Sequence, residues 1–155
     1  MTDSSDYIHI ITRALIIDNG HVLVCVNKGN RLYSCLPGGK ISHGEKLEDS
    51  LVKIFYEDVG HCLKVESYVG AMESGWHAEQ KQAHEINMIF NCTSPELSCF
   101  TQPASKSAHS DLAWVKVSDL SNALLRPRAL QAAIPTWYSQ QKPGMFLSEF
   151  VKPTE

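Results

Sequence analysis

The chain has 155 residues, of which 43% are hydrophobic and 20% are charged, and its formal net charge is −3. This length favours a single domain over residues 1–155, with a core at about residues 7–140 and frayed termini, and the apolar fraction excludes general disorder. The slightly acidic balance gives no basic surface for a nucleic-acid duplex, and no run approaches the ~20 apolar residues of a membrane span.

The cysteines favour a reducing compartment. Their number is odd and no two form a C-x-x-C pair, so we expect neither a disulfide framework nor a zinc site. The acidic N-terminus also lacks the features of a signal peptide, and we therefore expect a cytoplasmic protein. Cys25 and Cys35 lie in apolar strand segments, which predicts small core residues.

The first third of the chain predicts short strands. Residues rich in β-branched side chains form two segments, Tyr7–Ile17 and His21–Val26. The pair Asn19-Gly20 between them predicts a hairpin, because its turn needs positive φ at both central residues. A further short strand is predicted at Arg31–Leu36, ended by Pro37-Gly38-Gly39.

A helix is predicted from Lys46 to Val59, with Gly60 just after its end. Its apolar residues recur at helical spacing, so they would share one face. They are Leu47, Leu51, Ile54, Phe55 and Val59.

The following segments predict more strands. Two strands are expected at Leu63–Glu73 and Glu85–Cys92, separated by a polar, turn-prone stretch at Ala78–Ala83. An irregular loop is expected at Ser94–Asp111, before a last short strand at Leu112–Val117.

The C-terminal part predicts a helical tail. Ser118 and Asp119 could cap it, Pro127 and Pro135 would interrupt it, and the chain from Lys142 onward would be frayed. Strands, one long helix, more strands and a late helix together indicate an α/β or α+β domain.

One segment carries a longer motif. Gly39 is followed after five residues by Glu45, and after seven more by Lys53–Gly60. This spacing resembles the Nudix box, G-x5-E-x7-R-E-U-x-E-E-x-G-U, in which U is a bulky aliphatic residue. Leu36-Pro37-Gly38-Gly39 and Gly44-Glu45 also match the usual lead-in of that family.

The resemblance extends over roughly Thr12–Ile134 and implies the Nudix fold, a mixed β-sheet sandwiched between helices. It also implies a pyrophosphohydrolase that uses Mg²⁺ or Mn²⁺ to cleave a nucleotide or nucleoside diphosphate derivative. By resemblance, Asp58, Glu57 and the carbonyl of Gly39 would hold the metal. Glu45 would anchor the loop or join the metal network, which makes Glu57, Asp58 and Glu45 the candidate catalytic residues.

The box departs from the family pattern at a critical place. Ile54 stands where the family has a glutamate that binds metal, and isoleucine cannot coordinate magnesium. Asp58 is shorter than the usual glutamate, and Lys53 lacks the planar fork of the usual arginine. Either another carboxylate rebuilds the site, with Glu85 the first candidate, or the fold is a non-catalytic nucleotide-binding or protein-interaction module. If the chain is an enzyme, we expect weak or unusually selective activity. The weaker replacement candidates are Glu73 and Asp111.

Candidate substrate contacts lie outside the box. Tyr33 and Trp76 could stack on a nucleobase, although strand aromatics more often serve packing. Arg13 and Lys40 could meet phosphate oxygens, or could be ordinary surface charges. The expected partner is thus a small nucleotide-like molecule, and homodimers, common among Nudix relatives, are left open by the sequence itself.

Overall fold

The computed structural model describes residues 7–29, 33–78 and 81–150. Over these ranges the chain is an α+β structure, which confirms the predicted class. The helices are α1 (Leu47–Val59) and α2 (Leu130–Gln140). The strands are β1 (Ile8–Leu15), β2 (Ile17–Asp18), β3 (His21–Asn27), β4 (Ser34–Cys35), β5 (Gly38–Lys40), β6 (Lys64–Ala78), β7 (Lys81–Thr93), β8 (Ser110–Lys116), β9 (Leu125–Arg126) and β10 (Met145–Phe150).

The strands divide between two sheets, where the sequence predicted one mixed sheet. The first has the order β10-β6-β7-β1-β5, and the second has the order β2-β3-β4-β9, with β8 paired to β3. Both sheets are mixed, because β1 runs parallel to β7 and β4 runs parallel to β9 while their other neighbours are antiparallel. Neither helix in the described ranges is long and apolar enough to cross a membrane.

The predicted hairpin and helix α1 are confirmed. Asn19 and Gly20 have φ of 45° and 73°, as the tight turn between β2 and β3 requires. Helix α1 ends at Gly60, whose φ is 82° and whose N–H donates to the carbonyl of Tyr56. The apolar face of α1 packs into a core cluster with β1, β3 and β7. The residues of α1 in that cluster are Leu47, Leu51, Phe55 and Val59.

Gly38–Lys40 forms strand β5, where the sequence predicted only that Pro37-Gly38-Gly39 ends the preceding strand. Gly38 pairs with Arg13 of β1 and has a φ of 147°. A Cβ atom at Gly38 would lie 1.9 Å from the carbonyl oxygen of Thr12. Only glycine therefore allows β5 to approach β1 so closely, and this approach fixes Gly39 beside helix α1.

Other strand bounds differ from those predicted because pairing with distant partners sets them. Within the described residues, the strand expected at Arg31–Leu36 is Ser34–Cys35, and residues 30–32 lie outside the described ranges. Of the stretch expected to turn, Ala78–Ala83, residues 79–80 lie outside the described ranges, and the ladder of β6 and β7 reaches Ala78 and Lys81 on either side of them.

The C-terminal predictions were wrong in three respects. Ser118 and Asp119 belong to a 3₁₀ helix, and they do not cap α2, which begins only at Leu130. Pro135 lies inside α2 without ending it, since Leu130, Ile134 and Trp137 are buried in the core. The stretch expected to be frayed contains β10, which pairs in parallel with β6; residues 151–155 lie outside the described ranges.

Candidate functional site

An open cavity of about 630 Å³ lies between the ends of strands from both sheets. Two arginines, two aromatic side chains and two carboxylates contribute to its wall. The lining residues are Arg13, Tyr33, Cys35, Ser74, Gly75, Trp76, Glu85, Leu124, Arg126, Pro127 and Glu149. Four predicted site residues, Arg13, Tyr33, Trp76 and Glu85, are therefore brought together here.

Arg13 is held rigidly in the wall of this cavity. Its Nη1 donates to the carbonyl of Leu36 over 2.9 Å, and its Nε donates to Oδ1 of Asn87 over 3.1 Å. These two bonds fix the plane of the guanidinium. The edge of the guanidinium that makes neither bond is therefore held in one orientation, together with the positive charge.

Two buried polar groups at or near the cavity lack a partner. The hydroxyl of Ser74, in the cavity wall, and Nδ2 of Asn87, whose Oδ1 binds Arg13, make no hydrogen bond among the described residues. Ser74 is 3% exposed and lines the cavity. Because a buried polar atom is normally satisfied, an unpaired hydroxyl in a cavity wall indicates a place for a polar ligand.

Glu85 is a half-buried carboxylate in the same wall. Burial raises its pKa, while the positive charges of Arg13, His9 and Lys40 act in the opposite direction. Burial thus makes the ionised form of Glu85 less favourable than that of a solvated carboxylate. A bound proton or a nearby cation would therefore stabilise Glu85 more than it would stabilise a solvated carboxylate.

Lys40 does not line the cavity. It lies exposed on β5, with Nζ 3.4 Å from Nε2 of His9. Its charge acts to lower the pKa of Glu85, and its predicted role with phosphate stays a prediction.

Helix α1 presents the acidic residues of the box near its C-terminal end. Glu57 is exposed and Asp58 is half-buried. The pKa of Asp58 is raised by burial and, to a smaller extent, by the neighbouring charge of Glu57. Two carboxylates at this end also oppose the helix dipole, so their ionised forms lack local compensation.

Ile54, one turn before Asp58, lies against Gly39. A Cβ atom built on Gly39 would stand 3.5 Å from Cδ1 of Ile54. The predicted apolar face of α1 included Ile54, but the core cluster holds its other members and Ile54 is half-buried beside β5 instead. An apolar side chain thus occupies the space between the box helix and the Gly39 backbone.

Glu45 lies at the other end of α1. Its Oε2 accepts a hydrogen bond of 2.6 Å from the hydroxyl of Ser50, a bond that lowers the pKa of Glu45. The resemblance implied that Glu45 either anchors the loop or joins the metal network, and this contact supports the anchoring role.

The described residues supply fewer magnesium ligands than the family pattern implies. They contain no group of three or more His, Cys, Asp or Glu side chains placed to hold one ion. Mg²⁺ is, however, commonly held by one or two carboxylates together with substrate phosphates. Asp58, whose charge is disfavoured by burial and by Glu57, is a group that a cation would stabilise. The donor set therefore fits an ion whose shell the substrate completes.

Sequence reasoning missed several cavity residues. Arg126, Ser74 and Glu149 converge with Arg13 only through pairing of β9 with β4 and of β6 with β10. Their positions in the chain are far from the box, and no local pattern marks them. In the described residues Asp58 and Glu85 do not belong to a group of three or more metal-ligating side chains.

Comparison with solved structures shows the same fold in proteins of low identity. A MutT protein from Bacillus halodurans is 19% identical, with a TM-score of 0.71 over 94% of this chain and 92% of that one. An ADP-ribose pyrophosphatase from Streptococcus suis is 18% identical, with a TM-score of 0.60 over 94% and 100%. A UDP-X diphosphatase is 19% identical, with a TM-score of 0.65 over 94% and 70%. No curated protein gives a significant match.

A family model supplies the remaining evidence. The model described as NUDIX domain matches residues 8–136, which span the box, all the cavity-lining residues except Glu149, and most of α2. The chain therefore belongs to the Nudix hydrolase family.

Proposed function

We propose that this chain is a divalent-metal-dependent Nudix pyrophosphohydrolase that acts weakly or selectively on a nucleotide or nucleoside diphosphate derivative. The cavity carries this proposal, because it combines fixed positive charge, aromatic surface and an unpaired buried hydroxyl. Two structural neighbours are an ADP-ribose pyrophosphatase and a UDP-X diphosphatase, which are consistent with a substrate of this class.

Recognition of the substrate is assigned to the cavity wall. Arg13, already oriented by Leu36 and Asn87, would hold phosphate oxygens, and the exposed Arg126 would add a second positive charge. Tyr33 and Trp76 would offer ring faces to a base or sugar, and Trp76 is 38% exposed.

Mg²⁺ or Mn²⁺ would be held by Asp58 and the carbonyl of Gly39, with either Glu57 or Glu85 as a second carboxylate and the substrate phosphates completing the shell. A bound ion neutralises pyrophosphate charge and lowers the pKa of a coordinated water. Asp58 and Glu57 supply the anionic surface, and Glu45 holds the N-terminal end of α1 through Ser50. Because Ile54 removes one ligand position, we expect slow turnover.

The alternative is a non-catalytic module that binds a nucleotide or a protein without cleaving a bond. Ile54 against Gly39 and the lack of a three-ligand cluster in the described residues favour it. The family membership and the polar cavity with its two arginines are compatible with both readings. A cytoplasmic location and a homodimer stay predictions from the sequence.

Nucleotide release from ADP-ribose and a UDP-sugar, with Mg²⁺ or Mn²⁺, separates the two readings. We expect metal-dependent release by the wild type and a loss of about 100-fold or more in Asp58→Asn, equivalent to ~2.7 kcal/mol of barrier. Glu66→Gln, which changes an exposed carboxylate on β6, serves as the matched control and should keep the wild-type rate. Thermal stabilisation by these nucleotides without release would support the module.

A further inference from the structure

Cys25 and Cys35 stand directly opposite each other on adjacent strands. They are register partners in the antiparallel ladder of β3 and β4. Directly opposed residues share one face of a sheet, with Cα atoms about 4.5–5.5 Å apart. A disulfide spans Cα distances of about 4.4–6.8 Å, so the backbone already has suitable spacing.

The two sulphurs also interact and differ in character. The interaction between the two neighbouring thiols lowers the pKa of Cys35 and raises that of Cys25. The positive charge of Arg13 also lowers the pKa of Cys35, while burial of Cys35 opposes these effects. Cys35 is therefore the better nucleophile, because the thiolate is the reactive form.

Cys35 can be reached from solvent. It is half-buried in the wall of the open cavity of about 630 Å³, next to Arg13. The prediction that both cysteines are small core residues is thus wrong for Cys35. The positive charge of Arg13 beside it would attract an anionic small molecule.

We infer that Cys25 and Cys35 form a reversible disulfide, so that this strand pair is a modification site for anionic low-molecular-weight disulfides such as oxidised glutathione. The Cys35 thiolate attacks one sulphur of the small disulfide, forming a mixed disulfide and releasing one thiolate. Cys25 then loses its proton and attacks Sγ of Cys35, releasing the second thiolate. The two protein thiols are oxidised by two electrons, and the small disulfide is reduced to two thiols.

This cross-link changes the cavity wall. It ties β3 to β4 and replaces the Cys35 thiol, which lies in the same cavity wall as Arg13, by a disulfide. Disulfide formation by Cys25 and Cys35 is a different reaction from the proposed hydrolysis, although Cys35 lines the same cavity.

Peptide mapping after incubation with oxidised glutathione tests this inference. Wild-type protein should yield a Cys25–Cys35 cross-linked peptide, reversed by dithiothreitol. Cys25→Ser should retain glutathione on Cys35, whereas Cys35→Ser should leave Cys25 reduced. Exposed Cys62 is the internal control, expected to carry a mixed disulfide. In reduced wild type, iodoacetamide should modify Cys35 at least about tenfold faster than Cys25.

Two results would overturn the inference. One is a wild type in which Cys62 is fully modified while Cys35 stays reduced. The other is stable glutathione on Cys35 of the wild type with no cross-link to Cys25. Both are read on unmutated protein, so poor folding of a variant does not affect them.

Discussion

Ile54 and Gly39 are in contact distance: a Cβ atom on Gly39 would stand 3.5 Å from Cδ1 of Ile54. This relationship joins the middle of helix α1 to the short strand β5, which Gly38 holds against β1. A carboxylate at position 54 would therefore lie beside the Gly39 backbone and one turn from Asp58. If position 54 is a ligand position, as the family resemblance implies, Ile54 leaves this Nudix fold with a reduced metal site.

Ile54→Glu should restore this position. We expect metal-dependent turnover to rise by about tenfold or more, the factor given by ~1.4 kcal/mol of added transition-state stabilisation. Without metal, repulsion between the new glutamate and Asp58 should lower stability by about 0.2–0.5 kcal/mol, and Mg²⁺ should recover it. Ile54→Gln, similar in size but uncharged, is the matched control. Equal rates for the two variants would contradict a ligand role at position 54.

Because β5 lies so close to β1, replacement by alanine should cost much more stability at Gly38 than at Gly44. Gly38→Ala should destabilise the fold by at least about 3 kcal/mol, because its Cβ would lie 1.9 Å from the Thr12 carbonyl oxygen. Gly44→Ala should cost only about 1–2 kcal/mol, since its φ is 85° but nothing lies within 4 Å of the added atom. Urea unfolding compares them, and equal losses would contradict this account of β5.

Local patterns in the sequence predicted what depends on local interactions. The turn at Asn19-Gly20 and the helix ending at Gly60 follow from residues within a few positions of each other. The Nudix box also reads along the chain, because its spacing is that of one loop and one helix. These features identified the family before any tertiary contact was known.

Features that depend on distant pairing could not be predicted in this way. Strand β10 forms because Met145 and Leu147 pack on the core while Gly70 admits the strand at close range. The cavity likewise unites Arg13 with Arg126 through separate strand pairs. Cys25 and Cys35 became a pair only when the register of β3 and β4 placed them opposite each other.

Glu149 should stabilise the C-terminal part of the fold. Its two carboxylate oxygens accept hydrogen bonds of 3.1 and 3.0 Å from the N–H groups of Arg128 and Ala129, just before helix α2. Glu149→Ala should therefore lower the free energy of unfolding by about 1–2 kcal/mol. Ser148→Ala, at the exposed neighbouring position, should change it little in urea unfolding. A Glu149→Ala variant as stable as Ser148→Ala would show that this contact does not hold the tail.

The hydrogen bond between Glu45 and Ser50 should make the stability of the fold depend on pH. The Ser50 hydrogen bond lowers its pKa, so its contribution is present above the unfolded-state value of about 4.3. That contribution is lost as the pH falls through the lower folded-state value. Between pH 5.5 and pH 3, wild type should therefore lose more stability than Glu45→Gln. Glu48→Gln, in the first turn of α1, is the control and should retain the pH-dependent stability that Glu45 contributes. A Glu45→Gln variant with the same pH dependence as the wild type would contradict the anchoring role.

Paramagnetic Mn²⁺ gives the most direct test of the proposed metal site. In the presence of ADP-ribose, low concentrations of Mn²⁺ should broaden the backbone amide resonances around Gly39, Ile54 and Asp58 of the ¹⁵N-labelled protein. Asp58→Asn should remove this broadening, and without nucleotide it should be much weaker, because the substrate completes the shell of the ion. Broadening that is absent from these residues at saturating Mn²⁺ and nucleotide, or unchanged by Asp58→Asn, would contradict the account.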